Sequence, residues 1–234
     1  MTALQTSTPA ISLPEDDRGA FVMRVYQHIL GAIGLFVALE ALMFMTGAAD
    51  AIHGFVFAGG GGRWLMVLGG FMVGQWFVTN AAQDLANPAR QYAGLAGTSF
   101  LYSVLFAPFL YEVYTVRDSG STIAAAAVVT GLGFVILSVI GMITRKDLSF
   151  MRPMIMWGFG IAMLLIVGAV LFGFNLGVWF SVAMIGLSGA AILYQTQTMV
   201  RTYPANAYVP AAISLFGSLM TMFWYVLRLF MARD

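Results

Sequence analysis

Few residues of this chain have the types and spacing to do chemistry. Glu40 stands about two-thirds of the way along the apolar stretch 25–47, where a carboxylate costs a few kcal/mol unless paired, hydrated or protonated. It reads either as a proton or cation ligand facing a bundle cavity, or as a protonated acid hydrogen-bonded to Ser, Thr or Asn on a neighbouring helix. Ser188, in Gly186-Leu187-Ser188-Gly189, has the setting of an intramembrane serine nucleophile. Such a serine needs a base within about 2.6–3.2 Å. The histidines are His28, near the start of the first apolar stretch, and His53, in the loop after it. Ser188 lies near mid-bilayer, roughly 15 Å from either face, so neither reaches it easily. The plainer reading is that these small residues, like Gly70 and Gly74, let helices approach closely. Gly59 to Gly62 lack the Lys-Ser/Thr of a phosphate loop and are followed by Arg63-Trp64, so a flexible linker is expected there. Gln75, Asn80, Gln195, Gln197, Ser218 and Thr221 are uncharged and suit interhelical hydrogen bonds of ~0.6 kcal/mol each.

Composition fixes the solvent in which these groups must be positioned. Only 9% of 234 residues are charged while 60% are hydrophobic, and mean hydropathy is +0.87. A soluble domain carries about 25% charge. The chain therefore reads as an all-α membrane protein whose first partner is the lipid bilayer. A net charge of +1 without a basic stripe excludes nucleic-acid binding. Zero cysteines exclude disulfides and thiolate metal sites, and two histidines make a multi-ligand metal centre improbable; no cofactor is expected. The sixteen methionines suit packing more than soft-metal transport.

A crossing needs ~20 apolar residues, since ~30 Å of hydrocarbon is divided by a 1.5 Å rise. Charge-free stretches at 64–83, 91–111, 119–144 and 202–227 each hold one span. Residues 153–200 are uncharged and too long for one crossing, so they fold back at Phe174-Asn175-Leu176-Gly177. The expectation is seven transmembrane helices, about 25–47, 64–83, 91–113, 121–143, 152–173, 177–200 and 206–230, forming one domain over 21–234. Arg18, Arg24, Arg90, Arg145, Lys146, Arg152 and Arg201 then share a side with the N-terminus. Arg63, Arg117, Arg228 and Arg233 lie toward the other, with Arg228 close enough to the end of its span to snorkel. That bias predicts a cytoplasmic N-terminus and an external C-terminus. Residues 1–20, with Pro9, Pro14 and an acidic triplet, read as a disordered cytoplasmic tail.

Some segments carry a resemblance. They are Thr144-Arg145-Lys146-Asp147-Leu148-Ser149-Phe150, the stretch from Ser188 to Gln197, Ala212 to Leu219, and Leu105-Phe106-Ala107-Pro108. Together they resemble the Bax inhibitor-1 family, and within it the bacterial YccA-like branch, over about residues 21–231. The loop holding Arg145, Lys146 and Asp147 is the most specific element. The resemblance implies a seven-helix bundle with the last helix held centrally.

In family members with ion-leak activity, the resemblance implies an aspartate pair sharing a proton on the sixth and seventh helices. This sequence has Gln195 and Ser218 there, and neither titrates near neutral pH. The YccA-like branch, with a serine at the seventh-helix site, implies association with the membrane-anchored protease FtsH, as substrate and restraint. The tail 1–20 would be the handle. The function expected is therefore a non-enzymatic inner-membrane modulator of such a protease. The alternatives are a pH-sensitive calcium, cation or proton leak centred on Glu40, Gln195 and Ser218, and an intramembrane serine protease resting on Ser188. Nothing in the spans specifies an oligomeric state.

Overall fold

In the computed structural model, residues 10–12 and 14–232 are described. Eight α-helices follow in order: α1 Glu15–Thr46, α2 Ala48–Ala58, α3 Gly60–Ala82, α4 Pro88–Tyr111, α5 Gly120–Ile143, α6 Met151–Phe172, α7 Gly177–Thr202 and α8 Tyr208–Met231. All except α2 are long and apolar enough to cross a membrane, which makes seven. Half of the expected tail 1–20, residues 1–9 and 13, lies outside the described residues. The rest forms a short 3-10 turn at Ala10–Ser12 and the opening of α1 at Glu15.

The last helix stands at the centre. In its most apolar stretch 72% of α8 is buried, against 6% for α3 and for α6. A helix apolar on every side buries itself when others can surround it. Small residues permit the close packing: a Cβ on Gly217 would stand 3.2 Å from the Tyr102 hydroxyl. The peripheral helices turn large side chains such as Trp76, Trp157, Leu164 and Trp179 outward, where lipid is the solvent.

One stripe of α1 faces the core. Phe21, Val25, Ile29, Ala32, Phe36, Glu40 and Met43 are all buried and recur every three or four residues, the helical period. Glu40 occupies a place in this stripe where its neighbours are apolar. Ser99 and Ser103 of α4 lock the same stretch, donating to the carbonyls of Ala32 at 3.3 Å and Phe36 at 3.5 Å.

The glycine run departs from the linker expected of it. α2 ends at Ala58 and α3 begins at Gly60, so the run is the joint between two helices and the first turn of the second. The compositional expectation of flexibility is overridden by packing, because Gly61 lies where a Cβ would come within 2.5 Å of Val170 on α6. α4 also ends unusually. After Pro108 it widens into a π-helical turn, Glu112–Val116, which carries Glu112 beneath α2.

Candidate functional site

Gln195 and Ser218 come together. α7 and α8 run side by side, and Ser218 Oγ donates to Gln195 Oε1 at 2.9 Å. The Ser218 side is buried and the Gln195 side half-buried. Both groups are neutral, so the contact joins two helices without a charge that pH could switch on or off. Next to it, the Gly217 carbonyl accepts from Tyr102 Oη at 3.3 Å and from Thr221 Oγ1 at 2.9 Å.

Glu40 does not join that pair. It is 93% buried, since its relative exposure is 7%, yet neither carboxyl oxygen has a hydrogen-bond partner among the described residues. One turn away, the Phe36 ring meets Phe106 edge-on at 5.6 Å, and Phe106 stacks on Phe223 at 5.7 Å. The carboxyl is thus set beside an aromatic layer rather than a polar cluster.

Ser188 is committed to its own helix. Its hydroxyl donates to the Met184 carbonyl at 2.8 Å, and no histidine bonds to it. The histidines are engaged elsewhere. His28 bonds Tyr92 Oη at 3.1 Å and the Arg24 carbonyl at 2.6 Å; His53 Nε2 meets Glu112 Oε2 at 2.9 Å. Of the small-residue pair nearby, a Cβ on Gly189 would come within 3.1 Å of Leu137, while one on Gly186 would meet open space.

The loop 144–150 is bound to the end of α7. Gln197, a buried residue, accepts from Leu148 N–H at 2.9 Å and donates to the carbonyls of Thr144 at 3.0 Å and Lys146 at 2.7 Å. Arg201 adds bonds to the carbonyls of Thr144 at 3.2 Å and Arg145 at 2.7 Å. Asp147 shapes the turn itself. Its Oδ1 accepts from Ser149 N–H at 2.9 Å and Oδ2 from Ser149 Oγ at 3.1 Å. The Ser149 backbone and hydroxyl donors, aided by Arg201, hold this carboxyl below the ordinary aspartate value. Loop backbone that cannot pair with itself is satisfied by side chains of a neighbouring helix. Arg145 and Lys146 contribute carbonyls to the clamp, leaving their charges to solvent or lipid headgroups.

The chain matches the family described as "Inhibitor of apoptosis-promoting Bax1" over residues 18–234. It belongs to the Bax inhibitor-1 family. Among its relatives, "Modulator of FtsH protease YccA" of Escherichia coli K12 is 31% identical over 166 residues, covering 70% of this chain and 74% of that protein. "Inner membrane protein YccA" of Escherichia coli O6:H1 matches to the same extent. An uncharacterized protein of Pseudomonas aeruginosa is 32% identical over 126 residues, which is 53% of this chain and only 55% of that protein's length. Membership in the Bax inhibitor-1 family agrees with the central position of α8.

Two constellations escaped the sequence. One is the Gln197–Arg201 clamp; the other is His53, Glu112 and Arg117 on the opposite side. Arg117 Nε lies 3.5 Å from Glu112 Oε1, and the His53 ring stacks on Phe57 at 4.5 Å. The partners are far apart in the chain, and only the π-helical turn brings Glu112 under α2.

Proposed function

We propose that this protein is a non-enzymatic modulator, and a substrate, of a membrane-anchored ATP-dependent protease of the FtsH type. It resides in the bacterial inner membrane with its N-terminus in the cytoplasm. The observation that carries the reading is the similarity to the Escherichia coli modulator across most of both chains. The neutral Gln195–Ser218 contact supports it, since the titratable pair implied for leak-competent relatives is missing. The seven-to-four division of basic residues between the two sides supports the orientation. The protease would take the chain by residues 1–14, which precede α1, and lateral helix contacts would restrain it.

The test is the chain's lifetime after synthesis is arrested, in cells with and without the protease. Deleting residues 1–14 leaves α1 whole and should lengthen the lifetime only where the protease is active. A lifetime independent of both the protease and the deletion would remove the reading.

A second reading, a proton or cation leak, is favoured by Glu40 alone, a buried carboxyl whose two oxygens have no hydrogen-bond partner among the described residues. Flux into proteoliposomes should fall at least severalfold in Glu40→Gln if this acid carries the ion. Equal background flux in both proteins would dispose of the leak. The Ser188 hydroxyl, occupied by its own backbone, gives the protease reading no support, and a fluorophosphonate probe should leave it unlabelled.

A further inference from the structure

α3 and α6 are the two least buried helices, and they meet near the end away from the N-terminus, where Gly61 faces Val170. Around that crossing lies a cavity of about 530 Å³, and a second of about 190 Å³ continues from it toward mid-membrane. Both are lined by Trp64, Ile166, Trp224 and Tyr225, so they form one trough. Leu68 and Phe71 of α3 and Phe159 and Met163 of α6 wall its inner part, with Phe106 beneath. Such dimensions suit an elongated organic ligand.

The mouth is of different chemistry. Arg117, Arg228, Asn175 and Glu112 line the outer cavity. Glu112 is taken up by His53 and Arg117, at 2.9 and 3.5 Å. Arg228 has no carboxylate partner among the described residues. It stands one turn from the end of α8, at the depth where headgroups begin. A trough of apolar and aromatic side chains, facing bilayer and closed at headgroup level by one uncompensated guanidinium, is complementary to an amphiphile with a single negative charge.

We propose that this trough binds one acidic phospholipid, with an acyl chain lying between α3 and α6 on Phe106 and Trp224 and the phosphate at Arg228. The occupant is a lipid because the inner wall carries no charged side chain to hold a soluble anion, and the acid at the mouth among the described residues, Glu112, is already paired and so not open to a basic peptide. The site is separate from the Gln195–Ser218 contact and does not depend on a protease partner.

The test places the full chain in nanodiscs of phosphatidylcholine containing graded amounts of phosphatidylglycerol, with bromine on the acyl chains of one lipid at a time. Trp76, Trp157 and Trp179, which are 61%, 71% and 84% exposed, are replaced by Phe, so that the remaining fluorescence comes from Trp64 and Trp224 in the trough. Brominated phosphatidylglycerol should half-quench at a mole fraction roughly tenfold below that of brominated phosphatidylcholine, as expected for one charge-assisted contact. Arg228→Gln should erase that preference. Ala169→Phe, filling the outer cavity, should weaken quenching by both lipids, while Leu164→Ala on the outward face of α6 should change nothing. Unfolding curves establish that each variant is folded, and retention of one phosphatidylglycerol by the wild type in native mass spectrometry reads binding independently. Equal quenching by the two lipids, or a preference that survives Arg228→Gln, would overturn the proposal. So would relief of quenching by inorganic phosphate beyond that given by chloride at equal ionic strength, which would make this a free-anion site. A co-purifying polypeptide that shields both tryptophans from either lipid would also overturn it.

Discussion

On the side of the bundle where α1 begins, the loop 144–150 is held by five side-chain bonds from Gln197 and Arg201 to its backbone, at 2.7–3.2 Å. On the opposite side, His53, Glu112 and Arg117 make two side-chain contacts, at 2.9 and 3.5 Å, and Glu112 and Arg117 line a cavity of about 530 Å³. The first arrangement satisfies loop peptide groups, of which the Leu148 amide is buried and the Thr144 and Lys146 carbonyls part-buried. The second joins side chains to one another at a rim that water and salt still reach, with His53 and Glu112 18% and 20% exposed and Arg117 46%. A buried peptide group left unpaired is costly, whereas a side-chain pair that water and salt can reach contributes little. The loop 144–150 is therefore fastened through its backbone, while at the far end the fastening runs between side chains.

The largest expected effect breaks that comparison if it fails. Gln197→Leu leaves the Leu148 N–H and the Lys146 carbonyl unpaired, with the Thr144 carbonyl kept by Arg201 alone, and should cost about 3 kcal/mol in detergent-based unfolding. At the far end, a double-mutant cycle between His53→Ala and Glu112→Ala should give about 1 kcal/mol or less, falling further in high salt. Comparable values would mean that the two ends are fastened alike. Ser218→Ala should remove about 0.6 kcal/mol, measured in the same way, placing the middle of the bundle below both. The smallest effect concerns acid. Asp147 is held below its unfolded value, so its contribution is complete above the ordinary carboxylate range and disappears as pH falls through the native value. Protection of the Ser149 amide, its exchange taken relative to the unstructured rate at each pH, should fall over that descent in the wild type. In Asp147→Asn it should be lower at neutral pH and free of this transition.

Much of this architecture was legible because charge is so scarce. The spacing of charged residues announced seven crossings, and the resemblance placed the last of them centrally. Glu40 was legible too, since an isolated acid within an apolar run stands out and the three-and-four spacing of its neighbours turns it inward. α2 was not, because eleven residues that include Asp50 and His53 are too short and too polar to read as a span. The clamp was invisible for another reason. Gln197 lies 49 residues from Leu148, and an uncharged amide on a helix carries no sign of what it will bond. Pairing of Gln195 with Ser218 came through resemblance; their types alone would have suggested only two of several polar groups in spans.

The burial of α8 carries a consequence for how the protein is made. This helix leaves the ribosome after the six crossings that come to enclose it. Those six must either hold a vacant middle until it arrives or remain loosely assembled until then. A nascent chain stopped before Tyr208 would leave Tyr102, Phe106 and Gln195 without the Gly217 carbonyl, the Phe223 ring and the Ser218 hydroxyl that they meet on α8. Quality control could thus recognise an unfinished molecule by an absence at its centre, before any loop was out of place.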